Sequence, residues 1–142
     1  MTSSDLGRTV GLDTSVVLRL LTAEPADQAD EALGFLKELK SAGRIAFASD
    51  LVVSEAYFAL QAHYQVPKKA AVRALLDFLR SRFVEPEENG VAVQALESIT
   101  GSSQKPGFVD RMIHAQYARI PATLITFEKA SRKLDGVIVL EA

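Results

Sequence analysis

No cysteine occurs anywhere in the 142-residue chain, which removes disulfides, thiolate zinc sites and cysteine nucleophiles together. The absence fits a reducing, cytoplasmic setting. Histidine is nearly as scarce, with His63 and His114 as the two present, so a histidine-built zinc site is not expected. Any metal would then be a hard ion held by oxygen ligands. No apolar run approaches the roughly 20 residues of a membrane span. Met1 to Arg8 lacks the apolar core of a signal peptide, so neither a membrane partner nor export is expected. A net charge of −2 argues against a broadly basic surface for nucleic acid and leaves room for a local basic patch. There is no glycine-rich phosphate loop with a following lysine, which excludes a P-loop nucleotide enzyme.

What is present is a globular balance, 48% apolar and 24% charged, of a size for one domain spanning residues 1–142. Short β-rich runs alternate with longer helical ones. Strands are expected at Thr9–Asp13, Ile45–Ala48, Phe83–Glu85, Thr123–Phe127 and Val137–Leu140. Helices are expected at Thr14–Thr22, Asp27–Ser41, Asp50–Tyr64, Pro67–Arg82, Val91–Thr100 and Phe108–Arg119, with a helical turn at Lys129–Leu134 and a loop at 101–107. Ser49-Asp50 reads as a helix cap, and Gly43 closes the second helix. Strands separated by helices indicate an α/β fold, a parallel sheet with helices on its faces.

Four acids stand in telling places. Asp13 follows the first strand and precedes a helix, the kind of junction where open α/β sheets place ligand sites; a helix cap would also explain it. Glu55 falls on an apolar stripe through Leu51, Val52, Phe58, Ala59 and Ala62, where a buried charge must be paired, neutralised or bound to a cation. Asp110 lies in the first turn of its helix, where the dipole alone favours an acid. Glu128 follows the Leu124-Ile125-Thr126-Phe127 strand, in the same kind of position as Asp13. Brought together, such acids repel one another unless a divalent ion lies among them, and Mg²⁺ or Mn²⁺ is the natural choice.

The segments Gly11-Leu12-Asp13-Thr14-Ser15-Val16-Val17, Val53-Ser54-Glu55, Phe108-Val109-Asp110-Arg111-Met112-Ile113 and Leu124-Ile125-Thr126-Phe127-Glu128 together resemble a PIN domain, in order over nearly the whole chain. The resemblance is closest to the VapC-type toxins. It implies a three-layer α/β/α fold with a roughly five-stranded parallel sheet, and a metal-dependent endoribonuclease that hydrolyses RNA with metal-activated water. It matches Asp13, Glu55 and Asp110 to the principal acidic ligands and Ser15 to a small polar residue that positions water or metal. Glu128 stands where the family usually has Asp, and Gly107 where many members carry another Asp. A cognate antitoxin and a homodimer are implied partners, for which apolar stretches around Leu36, Leu39 and Leu60 offer surfaces, with a core role as the alternative.

Arg111, Lys105 and Lys129, with Arg132 and Lys133, are candidates to hold the RNA backbone, against the alternative of a solvated face. His114, one turn after Asp110, reads as structural rather than as a general base. Phe58, Tyr64, Phe78 and Phe83 read as core; Tyr57 and Tyr117 are candidates for lining a groove. Two rival enzyme classes lack their residues: a haloacid-dehalogenase-type enzyme needs an acid at Ser15, and a receiver domain needs an acidic pair at Asp13 and a phosphorylatable Asp where Ala48 or Glu85 stands. The remaining alternative is a PIN-like interaction module with weak or no nuclease activity.

Overall fold

A computed structural model describes residues 9–100 and 104–141. Residues 101–103, within the expected loop, and the polar segment 1–8 lie outside that range. The elements run β1 (Thr9–Gly11), α1 (Thr14–Thr22), α2 (Ala26–Ser41), β2 (Ile45–Ala48), α3 (Asp50–Ala62), α4 (Lys68–Leu79), β3 (Glu85–Pro86), α5 (Ala92–Thr100), α6 (Phe108–Arg119), β4 (Leu124–Thr126), a 3₁₀ turn (Lys129–Lys133) and β5 (Val137–Val139). The chain packs as two compact units, Met1–Gly90 and Val91–Ala142. Among the described residues no helix is long and apolar enough to cross a membrane.

In the first unit β2 lies between β1 and β3, and both pairings are parallel. Val10 faces Ala46 across the ladder, Gly11 faces Phe47, and Ala48 faces Pro86. Parallel neighbours cannot be joined by a tight turn, so α1 and α2 carry the chain from β1 to β2, and α3 and α4 carry it to β3. As a result α1 and α3 both start at the same edge of the sheet, where β1 and β2 end. Helix α1 packs on α2 and on α3, and α3 packs on α4.

Local chemistry sets the helix ends. Helix α2 stops at Gly43, whose φ of 71° is cheap without a Cβ. The Gly43 N–H donates to Lys40 O at 3.1 Å and the Arg44 N–H to Leu39 O at 2.9 Å, the paired bonds of a Schellman stop. Helix α4 buries Ala71, Val72, Leu75, Leu76 and Leu79, one stripe at helical spacing. Helix α3 is capped by Ser49, whose Oγ accepts from the Val52 N–H at 3.2 Å. Asp13 occupies the same cap position on α1 but makes no side-chain cap bond.

Helix α3 overturns part of the sequence reading. Its buried face is Asp50, Val53, Ala56, Tyr57 and Leu60, while Leu51 is 78% exposed and Phe58 56% exposed. The helix is apolar on two sides, so periodicity admits two phases, and packing selects the one through Val53 and Leu60. Phe58 is therefore surface and Tyr57 core, the reverse of expectation. Leu36, Leu39 and Leu60 are all buried, which gives them to the core and not to a partner surface.

In the second unit α5 packs on α6, and β4 pairs in parallel with β5, Leu124 facing Val137 and Thr126 facing Val139. Phe108 is fully buried. The α/β architecture with parallel strands thus holds, with the hydrogen-bonded ladders divided into three strands and two. β3 is shorter and later than expected, at Glu85–Pro86.

This geometry sets the expected stability of three variants. Ser49→Ala should cost about 1 kcal/mol through the lost cap, whereas Asp13→Asn should change stability by less than about 0.5 kcal/mol, as an exposed side chain outside the capping network does. At Gly90 an added Cβ would lie 2.6 Å from Asp50 Oδ1 and 3.0 Å from the Glu87 carbonyl oxygen, so Gly90→Ala should destabilise by roughly 1–3 kcal/mol. Urea or thermal unfolding of the three variants checks all of these.

Candidate functional site

Asp13 is reached two residues after β1 ends, so the strand delivers it to the sheet edge where α1 begins. Its backbone carbonyl starts the helix, accepting from the Val16 and Val17 N–H groups at 3.1 and 3.2 Å. Its carboxylate is exposed and, among the described residues, has no hydrogen bond or ion pair. The cap explanation of Asp13 therefore covers its backbone and leaves its side chain unused.

Glu55 lies on α3 one turn after Leu51 and just before Phe58. It is exposed, not buried, and it too has no polar partner among the described residues. The expectation of burial does not hold, and among the described residues no arginine or lysine pairs with it. It is a solvated carboxylate set between two exposed apolar side chains.

Asp110 occupies the third position of α6, after Gly107 at the cap. It is half-buried and likewise without a polar partner among the described residues. Gly107 brings no side chain to cap the helix, and a Cβ there would meet nothing within 4 Å. Glu128 differs from the other three acids. It caps the 3₁₀ turn, its Oε1 accepting from the Ala130 N–H at 3.3 Å while its own N–H donates to Thr126 Oγ1 at 2.9 Å. Helix-entry chemistry thus occupies one of its two carboxylate oxygens.

The basic candidates divide by burial. Arg111, expected on an RNA-facing surface, is buried at 9% exposure. Its Nε donates to the Pro106 carbonyl at 2.7 Å and its Nη1 to Ser98 Oγ at 3.3 Å, so the guanidinium ties the segment before α6 to α5. Lys105, Lys129 and Lys133 are exposed, and Arg132 lies 3.4 Å from Glu141. His114 Nε2 is hydrogen-bonded to the Asp135 carbonyl. A carbonyl only accepts, so that nitrogen carries the proton and the ring is held as a structural donor.

Asp13 and Glu55 in the first unit, and Asp110 in the second, are each a carboxylate without a polar partner among the described residues, which is the donor chemistry that a hard divalent cation takes. Among the described residues no group of three or more His, Asp or Glu is close enough to hold an ion. Ser15 is exposed and opens onto a cleft of about 300 Å³ between α1 and α2, lined also by Arg19, Gln28, Glu31 and Phe35. Sequence reasoning passed over these four. Charged and amide residues on an amphipathic helix look like an ordinary solvated face, and only the pairing of α1 with α2 makes them neighbours.

Comparison with known proteins gives one family. The PIN domain model matches residues 10–137, across both compact units, and no curated protein matches the chain. PIN domains are in general nucleases that depend on divalent metal ions and act on nucleic acid. With nearly its whole length matched and its strands in parallel between helices, the chain belongs to the PIN domain family.

Proposed function

We propose that this protein is a metal-dependent endoribonuclease of the VapC toxin type, working in the cytoplasm with Mg²⁺ or Mn²⁺ and held in check by a cognate antitoxin. The observation that carries the reading is that Asp13, Glu55 and Asp110, the three acids at PIN-motif positions, all lack a polar partner among the described residues. Glu128, by contrast, has one oxygen engaged by the Ala130 N–H and would reach a metal with the other. In this reading the two compact units act as one domain and the protein forms a homodimer.

Asp13 and Asp110 would hold the ion, and Glu55 would hold it or orient water beside it. The Ser15 hydroxyl, which can both donate and accept, would align that water toward the phosphodiester. A divalent ion, when bound, supplies neutralisation of phosphate charge and a more acidic water. Lys105 and Lys129, exposed on the second unit, would hold phosphates by charge; the guanidinium of Arg111 is buried and bonded within its own unit.

The second reading is an interaction module with little catalysis. It is favoured by the occupation of Glu128 as a cap and by the missing carboxylate at Gly107.

Purified protein freed of any inhibitor should cleave single-stranded RNA with Mn²⁺ and lose that activity in EDTA. Asp13→Asn should lower the rate roughly 100-fold or more, the scale of one essential electrostatic contact, without shifting the melting midpoint. No cleavage by the wild type across a broad RNA panel would put the interaction module first. Gly107→Asp, which has open space for its side chain, should fold normally and tighten Mn²⁺ binding in calorimetry.

A further inference from the structure

The cleft between α1 and α2 belongs wholly to the first unit, and apart from Ser15 its lining has no role in the proposed hydrolysis. Its volume of about 300 Å³ is at the small end for ligand clefts, which run roughly 300–1,000 Å³. Each wall is one helix face: Ser15 and Arg19 lie a turn apart on α1, and Gln28, Glu31 and Phe35 follow one another at spacings of three and four on α2. Arg19 Nε donates to Gln28 Oε1 at 2.6 Å. That bond orients the guanidinium plane and leaves its two terminal amino groups without a protein partner among the described residues. The Glu31 carboxylate is exposed and equally unpartnered, and Phe35 keeps 38% of its surface open.

We propose that this cleft binds a guanine base of single-stranded RNA next to the cleavage site. Phe35 stacks on the base, Glu31 accepts from guanine N1–H and the 2-amino group, and Arg19 pairs with a neighbouring phosphate. The proposal rests on the nuclease reading for the origin of the strand. Its base preference comes from the cleft itself. A carboxylate only accepts, and guanine is the standard base that offers two adjacent donors on its Watson–Crick edge. Adenine and cytosine set an acceptor beside their amino group, and uracil flanks its N–H with two carbonyls.

Unpaired bases in RNA are recognised in this way, by aromatic stacking and by hydrogen bonds to their edges. The fork of Arg19 matches a phosphate bidentately, and its charge offsets Glu31 against the polyanion. An incoming arginine or lysine of a protein partner would instead meet Arg19 as a like charge. Ser15 lies at the cleft two residues from Asp13, so a base seated there has its phosphate near the sheet edge.

The test uses the full ¹⁵N-labelled chain in EDTA, so that binding is read apart from cleavage. GMP, AMP, CMP and UMP are each titrated and followed by amide shifts. GMP should move amides of α1 and α2 and bind about tenfold tighter than AMP, the scale of one bidentate base contact. Glu31→Gln should reduce GMP to the level of AMP. Phe35→Ala should weaken all four nucleotides, and Phe35→Tyr should restore them, each variant being checked for an otherwise unchanged spectrum. Equal affinity for GMP and AMP, or a preference that survives Glu31→Gln, overturns the proposal. So does an arginine-rich peptide that occupies the cleft in place of GMP. A parallel arm sequences the ends cut from random RNA with Mn²⁺. Cleavage without guanine enrichment and without GMP binding sinks this inference and leaves the nuclease reading standing. Selective GMP binding without cleavage does the opposite.

Discussion

The parallel pairing of β1 with β2 is the constraint from which the rest of the first unit follows. Parallel strands must be joined by a crossover, and here the crossover is the α1–α2 pair. Both strands then run out at one edge, and the chain leaves each of them directly into a helix. Asp13 is placed by that geometry with its main chain committed to starting α1 and its side chain left over. The cleft beside Ser15 has the same origin, because the two crossover helices must pack on each other before β2 can begin. A candidate ligand site and its neighbouring recess are thus two results of one backbone requirement.

Acids in this protein separate by what their oxygens already do. Glu128 has a backbone N–H to accept from, and Asp50, buried at the start of α3, is tied into its surroundings, with its own N–H donating to Glu87 Oε1 at 3.1 Å. Asp13, Glu55 and Asp110 have no such task among the described residues. This distinction is finer than burial. Asp13 and Glu55 are exposed and Asp110 is half-buried, so desolvation would have singled out none of them. Arg111 shows the same logic for cations: adjacency to Asp110 in sequence suggests a surface role, but its hydrogen bonds to Pro106 and Ser98 place it inside the unit.

Much of this was legible in the sequence, and the exceptions have a physical pattern. Helix bounds at Thr14–Thr22 and Phe108–Arg119 and the strand at Ile45–Ala48 matched, because caps, glycine and β-branched residues act locally. The PIN-type order of motifs was legible for the same reason, being carried by short contiguous segments. The phase of α3 was not, since Leu51, Phe58 and Ala62 form as good an apolar stripe as Val53, Ala56 and Leu60, and only tertiary packing chooses between them. The Arg19–Gln28–Glu31–Phe35 group was invisible too, because two helices contribute to it and neither carries a signal alone. The division of the ladders into three strands and two depends on long-range pairing that no local pattern encodes.

The exposed pair Leu51 and Phe58 on either side of Glu55 couples two processes that would otherwise be independent. Any macromolecule that covers those two side chains gains their apolar area but also strips water from the carboxylate between them. Desolvating that charge costs several kcal/mol, roughly, unless a positive group arrives with the cover. If the acid holds a cation, as proposed, protein association at this face and that occupancy are thermodynamically linked. A neutral, purely apolar partner is disfavoured at Glu55, and one that carries its own cation would compete with the proposed metal.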